Sequence, residues 1–258
     1  MKLDRLRCAA GARTGAALAA GAAALALLAG CVSVRVEAPA AAFAPSETSV
    51  IQARVQHRAL DFDWRDEARG RPVPVRLYWP TEVAPDAQVP LVVFSHGIGG
   101  SRLGYSYLGR YFAEHGIASL HLQHVGSDRA LWFGSPWDLV SRLQSAAQES
   151  EAVARVGDLR YALDQVLAGE YGARIDRNRV VAAGHSYGAN TALLAAGARV
   201  PRAGQVVDLR DARIRAAILM SAPPFYGEGD EERILRHVQV PTLHITATED
   251  VIRIPGYY

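Results

Sequence analysis

At residues 55–64 and again at 72–79, apolar and polar positions largely alternate, with Glu67-Ala68-Arg69-Gly70 between them as a turn. A period of two puts one side of a strand on a core and the other in water, so the pair predicts a leading antiparallel hairpin. Beyond it the rhythm changes. Short β-branched runs at 89–94, 117–121, 179–183, 216–220 and 242–246 alternate with helical stretches around 105–114, 149–167, 189–198 and 231–238. Runs that are apolar at nearly every position belong to strands buried on both faces. Their alternation with helices across tight turns predicts an α/β domain, with a mainly parallel sheet and helices on both faces.

The first forty residues break this pattern. Lys2, Arg5, Arg7 and Arg13 precede a charge-free, Ala- and Leu-rich stretch at 14–34, the order of a secretory signal, and the alanine run is only weakly hydrophobic for a permanent membrane span. Residues 1–30 are therefore expected to be a signal peptide, 31–49 a linker containing Ala, Pro and Ser, and 50–258 the folded domain. Leu28-Ala29-Gly30-Cys31 is similar to the lipobox of bacterial lipoproteins, which implies a lipidated Cys31 and a protein held on the cell-envelope membrane. Cleavage at Ala38-Pro39-Ala40 or a retained anchor are the alternatives.

Composition narrows the function. The 258 residues are 50% hydrophobic, enough for one sizeable core. Without the signal the charge is 24 bases against 25 acids, which offers no electrostatic footprint for nucleic acid. Cys8 would leave with the signal and Cys31 would carry lipid, so no intramolecular disulfide is expected.

The chemistry concentrates at strand ends, where open α/β sheets bind ligands. Gly184-His185-Ser186-Tyr187-Gly188 fits G-x-S-x-G between a β-branched run and a helical one, the setting in which a sharp turn exposes a nucleophilic serine. The ordinary reading, a turn serine, is the weaker one. After Leu91-Val92-Val93, the stretch Phe94-Ser95-His96-Gly97-Ile98-Gly99-Gly100-Ser101 has the glycines that let backbone N–H groups approach an oxyanion. Its donors are expected to be the Tyr187 amide and a loop amide, by position that of Ile98. His96 reads as a structural, hydrogen-bonding histidine.

"PLVVFSHGIGGSRLGYSYLGRYFAEHGIASLHLQHVGSD" followed by "GHSYGANTALL" resembles the α/β-hydrolase superfamily, and within it the bacterial relatives of platelet-activating-factor acetylhydrolase and dienelactone-hydrolase-like lipoproteins. The resemblance runs from Arg54 to the last residue. Dienelactone hydrolases proper use a cysteine where this chain has Ser186. The resemblance implies an α/β-hydrolase fold, a cofactor-free serine esterase, and a catalytic acid at Asp250, with Glu249 a weaker neighbour and Glu228 or Asp230, one strand earlier, the rival.

The family order Ser, acid, His would put a histidine after Asp250, yet all eight histidines precede it. His244 sits within a strand pattern and should point into a sheet face. His121 and His124 lack a third clustered ligand and read as local packing, so no metal is expected. The sequence is expected to lack a last strand and helix that carry the histidine, and the 258-residue chain to be nearly inert. Arg155, Asp158, Arg160 and Asp164 read as a solvated helix face. Trp132, Phe133 and Trp137 read equally as an acyl-pocket wall, a lid or core. Two functional classes follow: a serine hydrolase cleaving short to medium acyl esters, and a non-catalytic envelope lipoprotein that keeps the fold for binding.

Overall fold

The computed structural model describes residues 56–202, 205–225 and 231–250. Cys31, the expected signal and linker, and the rival acids Glu228 and Asp230 lie outside the described residues.

The alternating segments form β1 (His57–Asp66) and β2 (Arg71–Pro80), paired antiparallel from His57 opposite Pro80 to Asp66 opposite Arg71. The hairpin turn ends on Gly70 at a φ of 61°, a left-handed conformation that costs glycine nothing. Then come β3 (Val89–Ser95), α1 (Ser106–Glu114), β4 (Ala118–Leu122), α2 (Leu139–Ala146), α3 (Glu149–Ala168), β5 (Ile175–His185) and α4 (Tyr187–Ala196). A short hairpin, β6 (Arg199–Arg202) with β7 (Gln205–Asp208), precedes β8 (Ala216–Met220), α5 (Glu231–Leu235) and β9 (Thr242–Ile245). The sheet order is β1-β2-β4-β3-β5-β8-β9, parallel from β4 to β9, with the antiparallel pair at the opposite edge.

The continuous apolar runs have the expected cause. Along β3, Leu91 and Val93 enter one cluster with Val156, Leu159 and Leu163 of α3, while Val92 and Phe94 enter another with Leu108 and Phe112 of α1. Each central strand is thus covered on both faces, and all of its side chains but one leave water in β3. At the far edge β9 is exposed at every position, so His244 does not point into a covered sheet face. Helix α2 and the β6–β7 hairpin went unread in the sequence. Their segments are short, and polar and apolar residues mix in them without a sustained period. No helix among the described residues is long and apolar enough to cross a membrane.

Candidate active site

Ser186 stands between β5 and α4 with φ 52° and ψ −123°, a strained geometry for a residue with a side chain. Two glycines make the turn possible. A Cβ on Gly184 would lie 2.1 Å from the Gly188 carbonyl oxygen, and one on Gly188 would lie 2.0 Å from that of Ser95. The G-x-S-x-G spacing is therefore a steric demand of this turn. The Ser186 N–H donates to the Met220 carbonyl at 2.9 Å, which ties the turn to the end of β8.

The loop after β3 crosses directly against it. A Cβ on Gly97 would sit 3.3 Å from Ser186 Cβ, so the backbone at Gly97 packs against the serine. The loop is braced on its other side: Gly99 N–H donates to the Ser127 carbonyl at 2.8 Å, Gly100 N–H to that of Gly97 at 3.1 Å, and Trp132 Nε1–H to that of Gly99 at 2.8 Å. Among the described residues, neither the Ile98 nor the Tyr187 amide has a protein acceptor. Trp132, Phe133 and Trp137 are largely exposed, which removes the core reading of these aromatics.

Asp250 follows β9 and bonds the hydroxyls of Ser221 and Thr246, the latter at 2.9 Å. These bonds, led by that from Ser221, hold its carboxyl below the usual carboxylate value. Ser221 follows β8 at a φ of 49° and donates its N–H to the Ile245 carbonyl at 2.8 Å. Ser186, Ser221 and Asp250 thus occupy the C-terminal ends of three adjacent parallel strands, and the Asp250 charge is felt at His185.

Beneath the turn and the loop lies a buried polar network that was missed in the sequence. Arg155 and Asp158 are wholly buried, which corrects the expectation of a solvated face for these two; Asp164, paired with Arg213, is exposed, and Arg160 is partly so. Glu151, Arg155, Asp158 and Ala162 recur at the spacing of the helix's buried stripe, and this was the available signal. Asp158 accepts from Arg71 Nε at 2.8 Å, Arg69 Nη1 at 3.0 Å and His124 Nδ1–H at 3.0 Å. His124 Nε2 meets Ser95 Oγ at 3.0 Å, and the His124 N–H donates to His96 Nε2 at 3.0 Å. Burial, reinforced by the Arg155 charge, holds both rings well below the ordinary histidine value, so they are neutral at pH 7. Burial also raises the Asp158 carboxyl, against the pull of the two guanidiniums.

His96 is thereby a structural histidine, as read. His57, His115, His121 and His237 have partners in Glu114, the Tyr111 carbonyl, Ser119 and Arg236. Among the described residues, no histidine ring is bonded to the Ser186 hydroxyl and no group of three or more metal-ligating side chains occurs.

A profile of the alpha/beta hydrolase family matches residues 92–257, from within β3 to beyond Asp250. The chain belongs to this family. Over 150 residues it is 25% identical to platelet-activating factor acetylhydrolase of Canis lupus familiaris, a match covering 45% of this chain and 34% of that protein. The chain thus spans about a third of the length of that curated relative. Among solved structures, a ferulic acid esterase from Streptomyces cinnamoneus superimposes with a TM-score of 0.52 at 21% identity, covering 76% of this chain and 65% of that one. A dienelactone hydrolase from Anabaena variabilis does so with a TM-score of 0.50 at 18% identity over 74% of each chain. At such identities these two likenesses show the fold alone.

Proposed function

We propose that the protein is a cofactor-free serine hydrolase that cleaves carboxylic esters of short to medium acyl chains through an acyl-enzyme on Ser186. The observation that carries this reading is the strained turn at Ser186 pressed against a glycine loop whose Ile98 amide, like that of Tyr187, has no protein acceptor among the described residues. Attack of Oγ on an ester carbonyl forms a tetrahedral intermediate, and two preorganised N–H donors stabilise its oxygen where charge develops. Asp250, held ionised by hydroxyl donors at the neighbouring strand end, is the acid that would orient a protonated histidine. The short acyl range is supported by the segment between α4 and β8, which holds only the small β6–β7 hairpin and no lid domain. Each buried methylene adds about 0.8 kcal/mol only while there is apolar wall to receive it. Trp132, beside Gly99, is such a wall. We further propose that Cys31 carries lipid and anchors the protein to the bacterial envelope membrane.

The test is made on the full-length protein. A fluorophosphonate should label it, label Ser186→Ala not at all, and report loss of p-nitrophenyl ester hydrolysis in the same variant. Equal labelling of both would remove Ser186 from the nucleophile's role. Absence of hydrolysis at every acyl length would favour the non-catalytic binding lipoprotein.

A further inference from the structure

Arg155 is the largest side chain fully buried in the described structure, and no carboxylate bonds its guanidinium. Its donors go instead to three neutral oxygens. Nη2–H donates to the His96 carbonyl, Nη1–H to Ser127 Oγ at 2.8 Å, and Nε–H to Thr191 Oγ1 at 3.0 Å. The carboxylates that balance its charge stand one remove away, with Glu151 bonded to Ser127 Oγ at 2.7 Å and Asp158 bonded to Arg71 and His124. Burying a cation without a directly bonded anion is costly, and burial indeed draws this guanidinium down to about 10. A stability role alone would be better served by a well-packed apolar side chain at the same place.

What the three acceptors share is their position around Ile98 and Tyr187. His96 precedes Gly97-Ile98, and Ser127, whose carbonyl takes the Gly99 N–H, backs the residue after Ile98. Thr191 Oγ1 in turn donates to the Tyr187 carbonyl at 3.1 Å. The guanidinium also lies 4.5 Å from the centre of the Tyr187 ring, whose buried hydroxyl has no hydrogen-bond partner among the described residues. The ring is therefore held by the cation beneath it and not through its own phenol. One rigid fork thus clamps the loop on both sides of one candidate oxyanion donor and the helix turn that carries the other. We propose that Arg155 is the positioning residue of the oxyanion hole, setting the distance between the Ile98 and Tyr187 amides. This rests on the serine-hydrolase reading above.

The experiment uses the full-length protein with p-nitrophenyl acetate and a trifluoromethyl ketone, whose adduct with the serine places an oxyanion in the hole. Ser186→Ala must abolish hydrolysis; if it does not, the parent reading has failed. With that established, Arg155→Lys keeps the charge but cannot span three divergent acceptors. Misaligning an oxyanion donor costs on the order of 10²-fold. The expected result is therefore a fall in kcat of about 10²-fold, an equal rise in the ketone's inhibition constant, and KM within about threefold of wild type. Values of kcat and inhibition constant within threefold of wild type would overturn the proposal, as would a loss expressed in KM with ketone binding unchanged. If Arg155→Lys does not fold, Thr191→Val, which removes one acceptor, decides. A fall in kcat of roughly 3- to 10-fold matched by the ketone supports the clamp, and no change in either overturns it.

Discussion

Replacing His121 with glutamine should remove about 2 kcal/mol of acid sensitivity from this fold. The ring is wholly buried between Phe94 and Tyr78, at 4.8 Å and 5.0 Å between ring centres. Its Nδ1–H reaches the Gly104 carbonyl at 3.3 Å, and Nε2 meets Ser119 Oγ at 3.0 Å. Burial pulls its pKa down from 6.5 to about 4, a bond to the Gly104 carbonyl opposing and the Arg76 charge assisting. The unfolded ring then takes up a proton below pH 6.5 while the folded ring stays neutral until pH approaches 4. Stability from the neutral ring is thus fully present above the unfolded value, declines by up to about 1.4 kcal/mol per pH unit below it, and is exhausted once pH has fallen through the folded value. Between pH 7 and pH 5 this amounts to about 2 kcal/mol. Glutamine keeps a donor and an acceptor but does not titrate. Its packing cost is the same at both pH values and cancels. The assay is urea unfolding of wild type and His121→Gln at pH 7, 6 and 5, read as the difference between their stabilities. That difference should move by about 2 kcal/mol in favour of the variant on acidification. His96, His124 and Asp158 titrate in both proteins and also cancel. A difference constant with pH would show that the folded ring protonates as readily as a free one, and the burial argument would be wrong.

Other consequences are as direct. Gly188→Ala places a Cβ 2.0 Å from the Ser95 carbonyl oxygen and must push the turn off β3; a displacement near 1 Å should lower kcat/KM by about 10²-fold, and a value within threefold of wild type would show that the turn yields without moving Ser186. Trp132→Ala strips the apolar wall beside Gly99, so kcat/KM for p-nitrophenyl octanoate should fall several-fold more than for the acetate, whereas a uniform change across the series would take Trp132 out of the acyl site. A steady rise in wild-type kcat/KM through palmitoyl esters would instead show a long pocket. Cys31→Ala should release the protein from membranes and abolish acyl mass on the mature N-terminus; unchanged membrane partitioning would defeat the anchor.

Local chemistry was legible without coordinates. The β-branched runs became strands because desolvation on both faces of a parallel sheet demands apolar side chains at consecutive positions, and that demand is written contiguously at residues 89–94 and 180–183. The turn at Ser186 was legible in part for a similar reason: a Cβ at Gly184 would strike Gly188, four residues on and inside the five-residue motif, whereas the demand for Gly188 itself comes from the Ser95 carbonyl on β3. The buried network was not. Arg155 and Asp158 carry charges that a sequence reading assigns to water, and what makes their burial tolerable comes from His96, Arg71, Ser127 and Thr191, brought together by four separate elements and loops. The meeting of Ser186 with Gly97, and of Ser221 with Asp250, likewise exists only once β3, β5, β8 and β9 lie side by side. Strand identity and most of the turn at Ser186 follow from short-range sterics and hydration, which the order of residues alone expresses. The setting of the Ile98 and Tyr187 amides, the partners of Asp250 and the charge of Arg155 beneath them depend on distances between residues far apart in the chain, and only packing of the sheet determines those.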